Sequence, residues 1–231
     1  MLLSLILSGN FNFQTAITCI LASLIVIFLV LPFHEYAHGF VAYKLGDNTA
    51  KIRGRLTLNP LDHLDYAGAL LLIFIGFGWA KPVPIDDRNF KNPKVGMAIT
   101  ALAGPVANLI AAIIAGLIYN AIIAFVGLIT ILTNQIWYYV LMFFQYLMII
   151  NIGLAVFNLI PIPPLDGSKI LMAFLPDRIV EKIYQYQQFF SMGLFILVMM
   201  GGLSGGFITS LQNWLFDGIN WLTALPFSFM H

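Results

Sequence analysis

The chain has 231 residues, 60% of them hydrophobic and 9% charged, with a formal net charge of +1. A soluble domain carries about 25% charged residues, so this composition excludes an ordinary soluble fold and points to an all-α polytopic membrane protein. No basic run with interleaved aromatics is present, which leaves nucleic-acid binding without support, and the single cysteine, Cys19, excludes an intrachain disulfide and a cysteine-based metal cluster.

Residues 1–33 carry no charge. They lack the basic n-region of a cleaved signal peptide, so the chain is read as mature from Met1. Asn10, Asn12 and Gln14 set off residues 1–8 as a short interfacial segment. A first spanning helix, TM1, is expected over 15–43, with a kink at Pro32, which removes a backbone hydrogen bond. Residues 45–94 hold most of the charges. Within them, the alternation in Lys51-Ile52-Arg53-Gly54-Arg55-Leu56-Thr57-Leu58 predicts a small β hairpin at the membrane surface. The uncharged run 66–80 falls short of the about 20 residues that a span needs and is interrupted by Gly68, Gly76 and Gly78. It is read as a re-entrant segment, with a full span as the alternative.

Residues 95–165 contain no charge and are too long for one helix. TM2 is expected over 96–131, tilted or broken near Gly104-Pro105, and TM3 over 136–159, with the turn at Thr133-Asn134-Gln135. After a polar connector, TM4 is expected over 188–206. The Trp-bearing segment 207–231 is expected to lie in the interface. The whole chain reads as one membrane-embedded domain. Its basic residues fall in three places: Lys44 to Arg55 after TM1, Lys81 to Lys94 before TM2, and Lys169 to Lys182 between TM3 and TM4. Four spans put all three on one side, which the positive-inside rule makes the cytoplasm. A multi-pass protein of the plasma membrane is expected, with lipid against its many Phe and Met residues.

His34-Glu35-Tyr36-Ala37-His38 stands at the end of TM1. Histidines four apart on a helix differ by about 40° around the axis and one turn along it, so both imidazoles reach one ion from one face. H-E-x-x-H is the zinc-hydrolase signature, against which stands a chance match of two helical histidines. A zinc site needs a third protein ligand and an open position. Asp166 follows TM3 directly, at the same membrane end as His34 and His38, behind the prolines of Ile160-Pro161-Ile162-Pro163-Pro164-Leu165. The plainer alternative is a turn aspartate. Asp62, Asp65 and Asp217 are rivals without a place at the end of a spanning helix. Two histidines and one carboxylate suit one Zn²⁺. Glu35 is positioned to act as general base on a water, with pairing to Lys44 as the bland alternative. Asn108, in the same half of TM2, either holds an oxyanion or substrate backbone or bonds a neighbouring helix. His63 is read as a surface-loop residue.

Three elements now stand together in order: His34-Glu35-Tyr36-Ala37-His38, Ala103-Gly104-Pro105-Val106-Ala107-Asn108, and Asn158-Leu159-Ile160-Pro161-Ile162-Pro163-Pro164-Leu165-Asp166-Gly167. With Leu56-Thr57-Leu58-Asn59-Pro60 and Gly78-Trp79-Ala80-Lys81-Pro82-Val83-Pro84, they resemble the site-2 protease family of intramembrane zinc metalloproteases, in its compact bacterial and archaeal branch. The resemblance covers about 29–169. It implies a three-helix catalytic core, to which the expected TM4 adds at least one further transmembrane helix, and zinc on His34, His38 and Asp166. It further implies Glu35 as catalytic base, Asn108 assisting substrate or transition state, Asn158 lining the site, and a hairpin edge for an extended substrate. Many relatives carry a PDZ or CBS module, for which this chain has neither length nor polarity. The reaction so implied is hydrolysis of peptide bonds in or next to transmembrane segments of membrane proteins, that is, regulated intramembrane proteolysis. A non-proteolytic metal-binding protein or metal transporter is the alternative. The transporter would want further ligands along a pore, and the expected TM2, TM3 and TM4 hold no histidine or carboxylate. Homo-oligomerisation stays open.

Overall fold

A computed structural model describes residues 13–75, 78–200 and 206–230; the expected interfacial segment 1–8 lies outside them. The first helix runs as α1 (Phe13–Ile25), a π-helical turn (Val26–Val30) and α2 (Leu31–Lys44). The π turn sits immediately before Pro32, at the start of α2. Proline has no N–H to give and crowds the carbonyl four residues back, and a widened turn relieves both constraints without ending the helix.

The loop after α2 departs from expectation. No strand forms among the described residues, so the β hairpin over 51–58 is not there. Its backbone bonds are local: Arg53 N–H donates to Thr49 O, Gly54 N–H to Lys51 O and Arg55 N–H to Ala50 O. The first belongs to the single turn α3 (Thr49–Ile52), and donors spent this way leave no ladder to build. The re-entrant reading of 66–80 is likewise unsupported. After the short α4 (Pro60–His63) comes α5 (Tyr66–Ile75), a helix of 10 residues. At 1.5 Å per residue it is about 15 Å long, half the hydrocarbon thickness. Trp79 then folds back against its first turn, where a Cβ on Gly68 would lie 2.2 Å from Trp79 O.

The central element is α6 (Pro93–Val126), 34 residues long and unbroken at Pro105. Its buried face is a seam of small residues, including Gly96, Ala101, Gly104, Ala107, Ala112, Ala115 and Gly116, which lets neighbours approach closely. Its outer face, with Val95, Ile99, Leu102, Val106, Ile110 and Ile114, is exposed. An apolar exterior over a seam that buries Thr100 and Asn108 is the pattern of a helix in lipid. The chain continues through α7 (Leu128–Thr133) to α8 (Gln135–Asn158), with Asn134 Oδ1 capping the start of α8. Then come α9 (Asp166–Met172), α10 (Asp177–Gln185), α11 (Gln187–Met199) and α12 (Phe207–Ala224).

Among the described residues, three helices are long and apolar enough to cross a membrane: Ile20–Lys44, Pro93–Val126 and Gln135–Asn158. They fall in the regions of the first three expected spans, but the second ends at Val126, where Gly127 sets off α7, and not at 131. In the region of the fourth, the described helix α11 has 13 residues, short of a span. Helix α12 packs on α6 and α8. Its Ile219 joins Ala112, Ala115, Met148, Ile152 and Val156 in one core cluster. Meanwhile α2 and α9 pack against the other end of α6, and that end carries the site.

Candidate metal centre

His34 and His38 share the buried face of α2, and Asp166 is the first residue of α9. The three side chains converge: His34 Nε2 lies 3.0 Å from His38 Nε2, and Asp166 Oδ2 lies 3.3 Å from the first and 3.2 Å from the second. All three residues are at least nine-tenths buried. They are the one group among the described residues whose His, Cys or carboxylate donors converge as metal ligands do. Tetrahedral zinc with bonds of about 2.0–2.1 Å sets its ligands roughly 3.3 Å apart, which is the spacing seen. Three electron-pair donors facing one another at this range fit a shared cation. The donor set, two imidazoles and a carboxylate, is the zinc-hydrolase set.

The surroundings keep these atoms aimed inward. His38 Nδ1 lies 2.7 Å from Thr100 O. A carbonyl can only accept, so Nδ1 carries the proton and the Nε2 lone pair faces the centre. Asp166 Oδ1 pairs with Lys169 Nζ at 3.4 Å, leaving Oδ2 for the histidines. Two glycines make room. A Cβ on Gly104 would lie 2.4 Å from His34 Cε1 and 2.5 Å from His38 Nε2. A Cβ on Gly167 would lie 2.2 Å from Leu159 O, where the proline segment folds back to start α9.

Glu35 is half-buried, and its Oε2 accepts the Val83 N–H at 2.9 Å. Val83 belongs to an extended strap, 80–86, laid over α2 and pinned on both sides. At its start, Lys81 N–H donates to His63 O, and Arg55 Nη2 donates to Lys81 O at 2.8 Å. At its end, Asp86 N–H donates to Asp47 Oδ2 at 2.8 Å. Sequence reasoning missed both anchors. His63 is not a surface residue: it is 2% exposed and its Nε2 lies 2.8 Å from Thr57 O. Asp47 is fully buried, and burial would raise its carboxyl. Hydrogen bonds from Thr49, the Asp86 amide and Asn89 outweigh that, so it sits below the usual range. Half-buried Asp86 is held down to about 2 by Arg88. No spacing rule marks a loop carboxylate as an anchor; a polar residue two before a Thr is the only local sign.

Asn108 is fully buried on α6, with its amide nitrogen placed 3.2 Å from His34 Nδ1. Asn158 is half-buried at the end of α8, and its amide donates to Leu154 O of its own helix. The structure therefore brings His34, His38, Asp166 and Asn108 into one cluster, with Glu35 beside it under the strap. Asn158 bonds outside the cluster. Of the rival carboxylates, Asp65 accepts the Gly68 N–H at the start of α5.

The profile of peptidase family M50 matches residues 22–200. The chain belongs to peptidase family M50. This is the site-2 protease family, and the match takes in α2, α6 and α9, the helices that build the cluster. The M50 chain is 38% identical over 176 residues to a Bacillus subtilis protein named "Putative zinc metalloprotease YwhC", covering 71% of this chain and 75% of that one. It is 28% identical over 195 residues to "Putative zinc metalloprotease Rip2" of Mycobacterium tuberculosis, covering 81% and 70%. No solved structure matches the M50 chain significantly.

Proposed function

We propose that the chain is an intramembrane zinc endopeptidase that hydrolyses peptide bonds in or next to transmembrane segments of membrane proteins. The observation that carries this reading is the convergence of His34 Nε2, His38 Nε2 and Asp166 Oδ2 within a buried pocket. These three residues would hold one Zn²⁺. The ion supplies Lewis acidity, which acidifies water and polarises a carbonyl. Glu35 accepts the proton of the attacking water and returns it to the leaving amine, so that water adds across the C–N bond and no other reactant is consumed. The Val83 amide holds the Glu35 carboxylate by one oxygen and leaves the other available. Asn158, at the mouth of α8, assists substrate or transition state by turning its amide from Leu154 O.

The substrate helix must unwind before cleavage, because a helical backbone hides its carbonyls in hydrogen bonds. The site lies near the cytoplasmic face of the plasma membrane, since the basic residues cluster at that end of the spanning helices. The transporter reading is not favoured. Among the described residues no second group of ligands lies along α6 or α8 to pass an ion onward.

Substrate trapping tests the reading in cells. Glu35→Gln expressed in place of the wild type is expected to accumulate intact, co-purifying single-span membrane proteins, identified by mass spectrometry, whose cleaved forms appear with the wild type. Identical co-purifying sets from the two proteins would count against proteolysis.

A further inference from the structure

We propose that Asn108 is a positioning residue: its side-chain oxygen accepts the proton of His34 Nδ1 and so fixes which nitrogen of His34 faces the metal. This rests on the reading of His34 as a zinc ligand. His34 Nε2 points at His38 Nε2 and Asp166 Oδ2, so it must be deprotonated to ligate. A neutral imidazole then carries its proton on Nδ1, and a buried Nδ1–H needs an acceptor. The Asn108 amide stands 3.2 Å away on α6. The amide's oxygen and nitrogen have nearly the same shape, and which one faces the ring is set by the proton, not by packing. With the nitrogen toward the ring, Asn108 Oδ1 is buried and has no partner. The ligating tautomer of His34 turns that oxygen toward Nδ1–H.

Burial decides between this role and substrate contact. Asn108 is 0% exposed and touches His34 Nδ1, whereas His34 and Asp166 keep 5% and 7%. A fully buried group whose side-chain contact is with the imidazole acts through that imidazole. The two histidines are then oriented by one helix in the same manner: His38 Nδ1–H donates to Thr100 O and His34 Nδ1–H to Asn108 Oδ1, two turns further along α6. At His38 the acceptor is a backbone carbonyl; at His34 it is a side-chain carbonyl.

The test separates acceptor from donor. Purified wild type, Asn108→Leu and Asn108→Asp are titrated with zinc against a chelator, and kcat and KM are measured on a model transmembrane substrate. Leucine keeps the size and removes the acceptor, so zinc affinity is expected to fall about 10–100-fold. Aspartate keeps an acceptor and has no donor, so zinc affinity is expected at or above the wild-type value. Wild-type zinc affinity in Asn108→Leu, with the loss confined to kcat or KM, would overturn the proposal in favour of substrate contact. Equal loss of zinc in both variants would overturn it as well. If Asn108→Leu does not fold, Asn108→Asp decides alone: retained zinc supports the acceptor role and lost zinc refutes it. Failure of the wild type itself to bind zinc would instead remove the metal centre, and this inference with it.

Discussion

Helix α6 carries the same short pattern twice. Gly104 and Asn108 lie four apart near one end, and Gly116 and Asn120 lie four apart near the other. At both places the glycine admits a close neighbour. A Cβ on Gly104 would strike His34 and His38, and one on Gly116 would come within 2.9 Å of Thr223 Oγ1. The outcomes differ. Asn120 Nδ2 donates to Gly116 O, Asn220 Oδ1 and Thr223 Oγ1, while Thr223 Oγ1 donates to Ile219 O. That cluster is neutral, its bonds close on themselves, and it fastens α12 to α6. Around Asn108 the partners are two imidazoles and a carboxylate, and their free electron pairs face one another. The helix motif supplies the approach; the partners' chemistry decides whether the result is glue or a site.

Four substitutions would break or sharpen this contrast. The largest effect is expected from Gly104→Ala. The added methyl occupies the space between His34 and His38, so zinc content by elemental analysis should drop to background and proteolysis with it, while Gly116→Ala should keep its zinc. Retention of stoichiometric zinc in Gly104→Ala would mean that the histidines have room the structure does not show.

A smaller effect is expected from Asn120→Leu. Loss of an interhelical polar contact in a membrane costs about 0.6–2 kcal/mol, so thermal unfolding in detergent should begin earlier while zinc affinity stays at the wild-type value. A loss of zinc would couple two clusters that are argued here to be independent.

The smallest effect concerns Asp47, which holds the strap beside the site. Its carboxyl is lower in the folded protein than in the unfolded chain, where it titrates near about 3.9. The stabilisation is therefore full above that value and is lost as pH falls through the folded value. Asp47→Asn should be less stable than the wild type at neutral pH, with the gap closing below about pH 4. A gap independent of pH would assign the effect to packing instead of charge.

How much of this was legible in the sequence follows from what each signal measures. Four-residue spacing on a helix fixes geometry, so His34 and His38 were readable as a pair facing one point, and the charge map aligned Asp166 with them. Three of the spans were readable because unbroken apolar length is itself the physical requirement for crossing a membrane. The β hairpin was misread because the alternation in Lys51 to Leu58 reflects neither backbone bonding nor burial: Ile52 and Leu58 are exposed, and the backbone bonds of this stretch are local turns. Arg55 reaches the strap carbonyls, and Leu56 packs within 3.3 Å of where a Gly39 Cβ would stand. His63 was misjudged because a polar loop hides nothing in its composition; its main chain is covered by the strap, whose Lys81 returns 18 residues later. Asn108 could be placed at the site but not oriented, since spacing says which residue is near and not which atom.

The central claim is that the buried triad and Glu35 form a proteolytic zinc centre. The most direct measurement compares purified wild type and Glu35→Gln, both loaded with zinc, on one model transmembrane substrate. Both should carry one zinc per chain, because Glu35 is not a ligand. The wild type should cleave, chelation should stop it, and Glu35→Gln should be slower by about 10²-fold or more. Cleavage by Glu35→Gln at the wild-type rate, or by the zinc-stripped wild type, would contradict the account.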